Sequence, residues 1–305
     1  MKSSQNTLFR LQGERFDGMV LDTVSRIHKN GKIWFVDSNT GSDTRGGNRL
    51  SSPFATLSAA MSACTASQGD MIIVLPQHAE TITSTITVKA GVRIVGLTVG
   101  NLRPVITING ATDLFNMSGA NSLISGLELT IATTDAATAL INVAAAKCKI
   151  SNVKMVPSAT SVNVVDCITL ASGANDVVID NVEIYNTTVP VNSFLSIEAA
   201  IARMVMTNCH FSGDCDTAGI IDSAAATNIN WYNNRVRTVG TTIPALTLDS
   251  NPTGVVDLFF AYGTHGTLAT NANWGNALRL SRIYTLEETN GSVQATNIVP
   301  ALDTD

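Results

Sequence analysis

Charge is scarce in this chain. Of 305 residues only 14% are Asp, Glu, Lys or Arg, and the formal net charge is −5. So few cations, spread along an acidic chain, do not make the basic face that binds a phosphate backbone, and nucleic acid is not an expected partner. Aromatic residues are thinner still at 5%, which leaves little material for stacked sugar platforms. The five cysteines, at 64, 148, 167, 209 and 215, form an odd set without a CxxC pair, so neither a disulfide framework nor a zinc ribbon is expected. No apolar run reaches the length of a bilayer span, and the opening Met1-Lys2-Ser3-Ser4-Gln5-Asn6-Thr7 lacks the apolar core of a signal peptide; membrane association is not expected, and synthesis in the cytoplasm is. A glycine-rich phosphate loop, a Ser-His-Asp signature and zinc-ligand spacing are all missing, and no cofactor is expected.

What the chain does have is a repeat. Cys148-Lys149-Ile150-Ser151-Asn152-Val153-Lys154-Met155 follows a grammar of apolar, any, Asn or Gly, apolar, any, apolar, which returns at Ile94-Val95-Gly96-Leu97-Thr98-Val99, Ile124-Ser125-Gly126-Leu127-Glu128-Leu129, Ile179-Asp180-Asn181-Val182-Glu183-Ile184 and Met206-Thr207-Asn208-Cys209-His210-Phe211. A frayed copy follows at Trp231-Tyr232-Asn233-Asn234-Arg235-Val236. The third positions are 96, 126, 152, 181, 208 and 233, in steps of 30, 26, 29, 27 and 25 residues. A second ladder precedes the copies, at Leu114-Phe115-Asn116-Met117, Leu140-Ile141-Asn142-Val143, Cys167-Ile168-Thr169-Leu170, Leu195-Ser196-Ile197, Ile220-Ile221-Asp222 and Leu246-Thr247-Leu248. Short β-branched and aliphatic alternations at such a period mean a solenoid built from strands, whose coils must stack to bury their apolar faces. Cys148, Cys167 and Cys209 fall on its apolar positions and are expected to be buried, reduced thiols.

The third position explains the corner between strands. Gly takes the left-handed backbone conformation freely, and Asn tolerates it better than other residues with a side chain. Stacking then places Asn152, Asn181, Asn208 and Asn233 above one another, about 4.8 Å apart, where their amides can hydrogen-bond along the stack. With this asparagine ladder, residues from about 33 to 260 resemble the right-handed parallel β-helix proteins of the pectate-lyase-like superfamily. The fold expected is therefore all-β, a single-stranded right-handed parallel β-helix over residues 32–262 with an N-terminal capping helix, flanked by an N-terminal arm (1–31) and a C-terminal extension (263–305).

The two ends read differently. In the arm, Met19, Val20, Val24 and Ile27 share one face of a short helix that is too small to fold alone; it reads either as a strap along the solenoid or as an attachment segment for another chain. Strand Lys32-Ile33-Trp34-Phe35-Val36 leads to a Gly46-Gly47 loop and a capping helix, with Ser52 expected as its N-cap and Phe54, Leu57, Met61 and Cys64 on one face. Asp37, Asn39 and Asp43 have the spacing of a calcium loop, but Ser42 and Asn48 stand where such a loop carries Gly and Glu, and a polar turn is the preferred reading. After Val255 the grammar is lost; His265, Trp274, a strand over 278–284 and an Asn290-Gly291 turn look like a separate extension.

Relatives of this fold cleave acidic polysaccharides, a chemistry that paired carboxylates on the outward columns would carry. Glu128, Lys154, Glu183, His210 and Arg235 form one column. Glutamates two coils apart, about 9–10 Å, approach the upper limit for an inverting glycosidase pair, yet Lys154 stands between them and favours a salt-bridge ladder. Asp214, Asp216 and Asp222 make the most acidic stretch; its preferred reading is a polar turn. His78 and His210 read as surface or packing residues. The function expected is that of a structural bacteriophage virion protein, a capsid decoration, cement, spike or fibre component acting through a rigid rod and subunit-locking arms. It would be a homotrimer in contact with other virion proteins such as the major capsid protein. The alternative is a tailspike-like polysaccharide depolymerase using Asp214, Asp216 or Glu183; a host surface glycan, held near Trp274 and the acidic loop, is a further partner to consider.

Overall fold

The computed structural model describes residues 31–97, 102–132, 137–157, 166–186, 190–239, 243–248, 252–263, 268–269, 278–289 and 292–298. The N-terminal arm, His265, Trp274 and the Asn290-Gly291 turn lie outside them. The chain is an all-β right-handed parallel β-helix with almost no helix. One sheet of 17 strands folds around a corner into two faces, and a sheet of 8 strands makes the third.

Each face stacks equivalent residues. On face 1, Ile72, Ile94, Ile124, Ile150, Ile179, Met206, Trp231 and Val256 are in parallel register. On face 2 the inward row is Ile106, Leu129, Met155, Ile184, Phe211, Val236 and Ala261, and on face 3 it is Phe115, Ile141, Ile168, Leu195, Ile220 and Leu246. All are buried in one continuous core. Burial of each such side chain contributes roughly 1.5–3 kcal/mol, so the stack, repeated coil after coil, is the main stabilising term. Cys148, Cys167 and Cys209 are buried and free, as their positions predicted, and so are Cys64 and Cys215.

The corner between faces 1 and 2 is a column of left-handed residues: Gly126 (φ 74°), Asn152 (53°), Asn181 (51°), Asn208 (56°) and Asn233 (55°). It does not stop there. Leu258 (φ 49°) and Arg282 (48°) take the same conformation in the next two coils, because strands Gly254–Gly263 and Leu278–Thr289 stay in parallel register with the coil before each of them. Neither residue favours that conformation; coil-to-coil hydrogen bonding imposes it, and the sequence grammar disappears for that reason. Parallel stacking therefore passes the expected boundary at 262/263, and the chain then turns back in an antiparallel strand, Ser292–Ile298. Gly96 serves a different purpose. It ends a strand, and a Cβ there would stand 2.4 Å from the Gly126 carbonyl oxygen, so close backbone approach requires the glycine.

The capping helix is shorter than expected. It runs from Leu57 to Ala63 with Thr56, not Ser52, as N-cap. The reason is Phe54, which forms a parallel bridge with Val36 and packs its ring under Gly47. That extended backbone delays the first turn, and Thr56 then accepts from Ala59 N–H through its side chain. Leu57, Ala60 and Met61 are the buried face.

Candidate functional site

The outward residues decide whether this rod carries chemistry, and several of them are engaged along its axis. Lys154 Nζ lies 3.1 Å from Glu128, the Arg203 guanidinium grips Asp176 (2.6 and 2.9 Å), and Arg282 holds Asp257 in the same forked way (2.9 and 2.5 Å). Asn181 donates to the Asn152 side-chain oxygen (2.6 Å) and Asn233 to that of Asn208 (2.9 Å). Asn208 breaks the run: its amide goes to the Asp180 carboxylate (3.3 Å), which also accepts from Thr207 (2.8 Å). The asparagine ladder is thus two pairs joined through an aspartate, on the exposed rim of the corner. A separate asparagine, Asn234, is buried, accepting from Cys209 N–H and donating to the Met206 carbonyl.

The acids singled out in the sequence do not converge on one place. Glu183 sits exposed on the flat of face 2, in register with Lys154 and His210; Lys154 pairs with Glu128, so the expected ladder closes on that side. Partial burial, and then the Arg235 charge, hold the His210 imidazole below its usual range. Asp214 and Asp216 lie further along the coil, in the turn towards face 3, where Val191 is bracketed by Asp214 O and Asp216 N (3.1 and 2.7 Å). Burial and the neighbouring Asp216 push the Asp214 carboxyl up. Asp222 points inward and accepts from Ala224 and Ala226 N–H, away from both. At the entrance, Asp37 accepts from Asn39 N–H and the Thr40 hydroxyl, whereas Asp43 accepts from Ala55 N–H, Thr56 N–H and the Thr56 hydroxyl. Asn39 turns to Gln77 O. Among the described residues no group of three or more His, Cys, Asp or Glu is arranged to hold a metal ion.

A different carboxylate group emerges at the edge of face 3. Asp166 is 3% exposed, accepting from the Ser193 hydroxyl (2.5 Å) and the Asn192 amide (2.9 Å) through one oxygen. Burial pushes its carboxyl up against the pull of those donors. Glu198 is pushed up as well, by desolvation and then by the charges of Asp166 and Asp113. Asp113 accepts from Asn142 (3.0 Å), whose own side-chain oxygen, like that of Asn116 one coil away, is buried without a donor. Register puts Asp113 and Asp166 in one row with Ala139 between, hence two coils or about 9–10 Å apart. This group escaped sequence reasoning because Asp113 and Asp166 precede the second ladder and Glu198 follows it; a row register for that ladder's flanks was the one signal available.

The fold is similar to that of pectate lyase Pel9A, with a TM-score of 0.61 at 13% identity over 88% of this chain and 78% of that one. A rhamnogalacturonan lyase (TM-score 0.46, 12% identity, 87% and 79% covered) and Geobacillus virus E2 ORF18 (0.41, 12%, 93% and 68%) also align. No protein-family model and no curated protein matches the sequence. At such identities the likeness to the pectate lyase is one of fold: both chains wind into a parallel β-helix.

Proposed function

We propose that this chain is a structural component of a bacteriophage virion, a stiff rod presented as a homotrimer and locked to neighbouring virion proteins by its ends. The observation that supports a mechanical role is the axial direction of the surface chemistry. Lys154–Glu128, Arg203–Asp176, Arg282–Asp257 and Lys149–Asp180 all join one coil to the next. Exposed pairs of this kind contribute little each, because water screens them. Together, on faces 1 and 2 and at their corners, they resist separation and twisting of the coils.

The test is twofold. Native mass and electron microscopy of the assembled particle should show an oligomer, and deletion of residues 1–30 should leave the far-ultraviolet circular dichroism of the β-helix intact while abolishing association. A deletion variant that still assembles would count against the locking role.

A second reading, polysaccharide depolymerase, is favoured by the Asp113–Asp166–Glu198 group. A general acid needs a raised carboxyl, the direction in which burial moves Asp166, and the Asp113–Asp166 spacing approaches that of an inverting pair. Purified protein incubated with capsule, lipopolysaccharide or pectin decides between them. No oligosaccharide release is expected; release that is lost in D166N, D214N or E183Q would replace the structural reading.

A further inference from the structure

Of the two described histidines, His78 and His210, His78 is the fully buried one, and both of its ring nitrogens are engaged by different parts of the chain. Its Nδ1 accepts from Ser38 N–H at 2.9 Å, and its Nε2 lies 3.1 Å from Glu80 Oε2. The same Glu80 oxygen accepts from Leu57 N–H at 2.9 Å, the first residue of the capping helix. Backbone bonds continue the junction, since His78 O accepts from Val105 N–H and Ala79 N–H donates to the Ser38 hydroxyl. One imidazole thus fastens the entrance loop, the helix start and the second coil together.

The protonation state of that ring is dictated by its partners. An amide N–H only donates, so Nδ1 must be an unprotonated acceptor and the ring hydrogen must sit on Nε2, facing the carboxylate. We propose that His78 is a proton-operated latch, holding the entrance loop to the β-helix at neutral pH and releasing it in acid. A proton added at Nδ1 sets two N–H groups against each other and deprives Ser38 N–H of its acceptor. The Glu80 side is unaffected, because Nε2–H goes on donating to a carboxylate that now faces a full positive charge. Release is therefore one-sided: the loop detaches while the helix stays.

The charged groups around the ring are consistent with this. Glu80 is the one in contact. Asp37 and Asp43 belong to the entrance loop, with carboxylates turned to Asn39 and Thr40 and to Ala55 and Thr56. The first turn of the helix carries no acid, its last turn no base, and strand Val105–Ile108 is uncharged.

Amide hydrogen exchange on the full chain, between about pH 8 and about pH 5 and corrected for intrinsic rates, tests it across the interval in which imidazoles change charge. Protection of Ser38 N–H should fall roughly tenfold or more in acid, as expected for an amide that loses a hydrogen bond of about 1.4 kcal/mol, while Leu57 and the corner amide of Asn181 keep theirs. H78Q offers an amide oxygen at a similar place and should make Ser38 protection independent of pH. E80Q, which removes the countercharge of the imidazolium, should move the loss to lower pH. Unchanged Ser38 protection in the wild type while the His78 ring titrates by NMR, or a wild-type profile in E80Q, would overturn the latch.

Discussion

Asn181 allows the two causes of the corner to be separated. Its φ of 51° places it in the left-handed region, its N–H donates to Thr207 O (3.0 Å), and its amide donates to Asn152 (2.6 Å). Alanine removes the amide and forces a β-carbon into the left-handed conformation. The lost exposed hydrogen bond costs about 0.5–1 kcal/mol and the backbone about 1–2 kcal/mol, so N181A should destabilise by about 2 kcal/mol. Glycine also removes the amide but accepts the conformation. Its cost is the hydrogen bond plus roughly 0.5 kcal/mol of extra chain entropy in the unfolded state, about 1 kcal/mol in all. Chemical unfolding followed by circular dichroism and by tryptophan fluorescence measures both, provided that the two probes coincide. If N181G is destabilised as much as N181A, the corner is held by the amide ladder and the conformational argument fails.

G126A should cost about 3 kcal/mol or more, because its Cβ would stand 2.1 Å from Gly96 O at a φ of +74° and strain adds to overpacking; a variant with unchanged thermal midpoint would contradict the model of close corner packing. D166N should be more stable than the wild type at neutral pH. The carboxyl of Asp166 is raised in the folded state by burial, so the wild type has its full relative stability below the ordinary aspartate range and loses it as pH rises from there through the folded value. The difference between D166N and wild type should therefore shrink towards zero as pH falls to about 4, and a constant difference would refute the assignment. Burial pushes the thiols of Cys64 and Cys209 up to about 12, so neither should react with a thiol reagent at about pH 8 unless the chain is unfolded; rapid labelling of the native protein would refute their burial.

The sequence by itself determined the period, the inward rows and the corner chemistry. Ile94, Ile124, Ile150 and Ile179 announce a stack because an apolar residue must recur at the same place in every coil to be covered by its neighbours, and Asn or Gly at 126, 152, 181, 208 and 233 announces a bend because few residues adopt positive φ. Tertiary structure alone decided the rest. Leu258 and Arg282 turn the same corner under the pull of coil-to-coil hydrogen bonds, against their own preference, so no local rule could extend the repeat to them. Phe54 bridging Val36 moved the helix start from Ser52 to Thr56. Above all, the company that Asp166 keeps, with Ser193 and Asn192 one coil on and the charges of Glu198 and Asp113 nearby, depends on which residues the winding brings together across 26 or more positions of chain. Burial and charge, which give a carboxylate its chemistry, follow from that juxtaposition and have no signature in the residues alongside it.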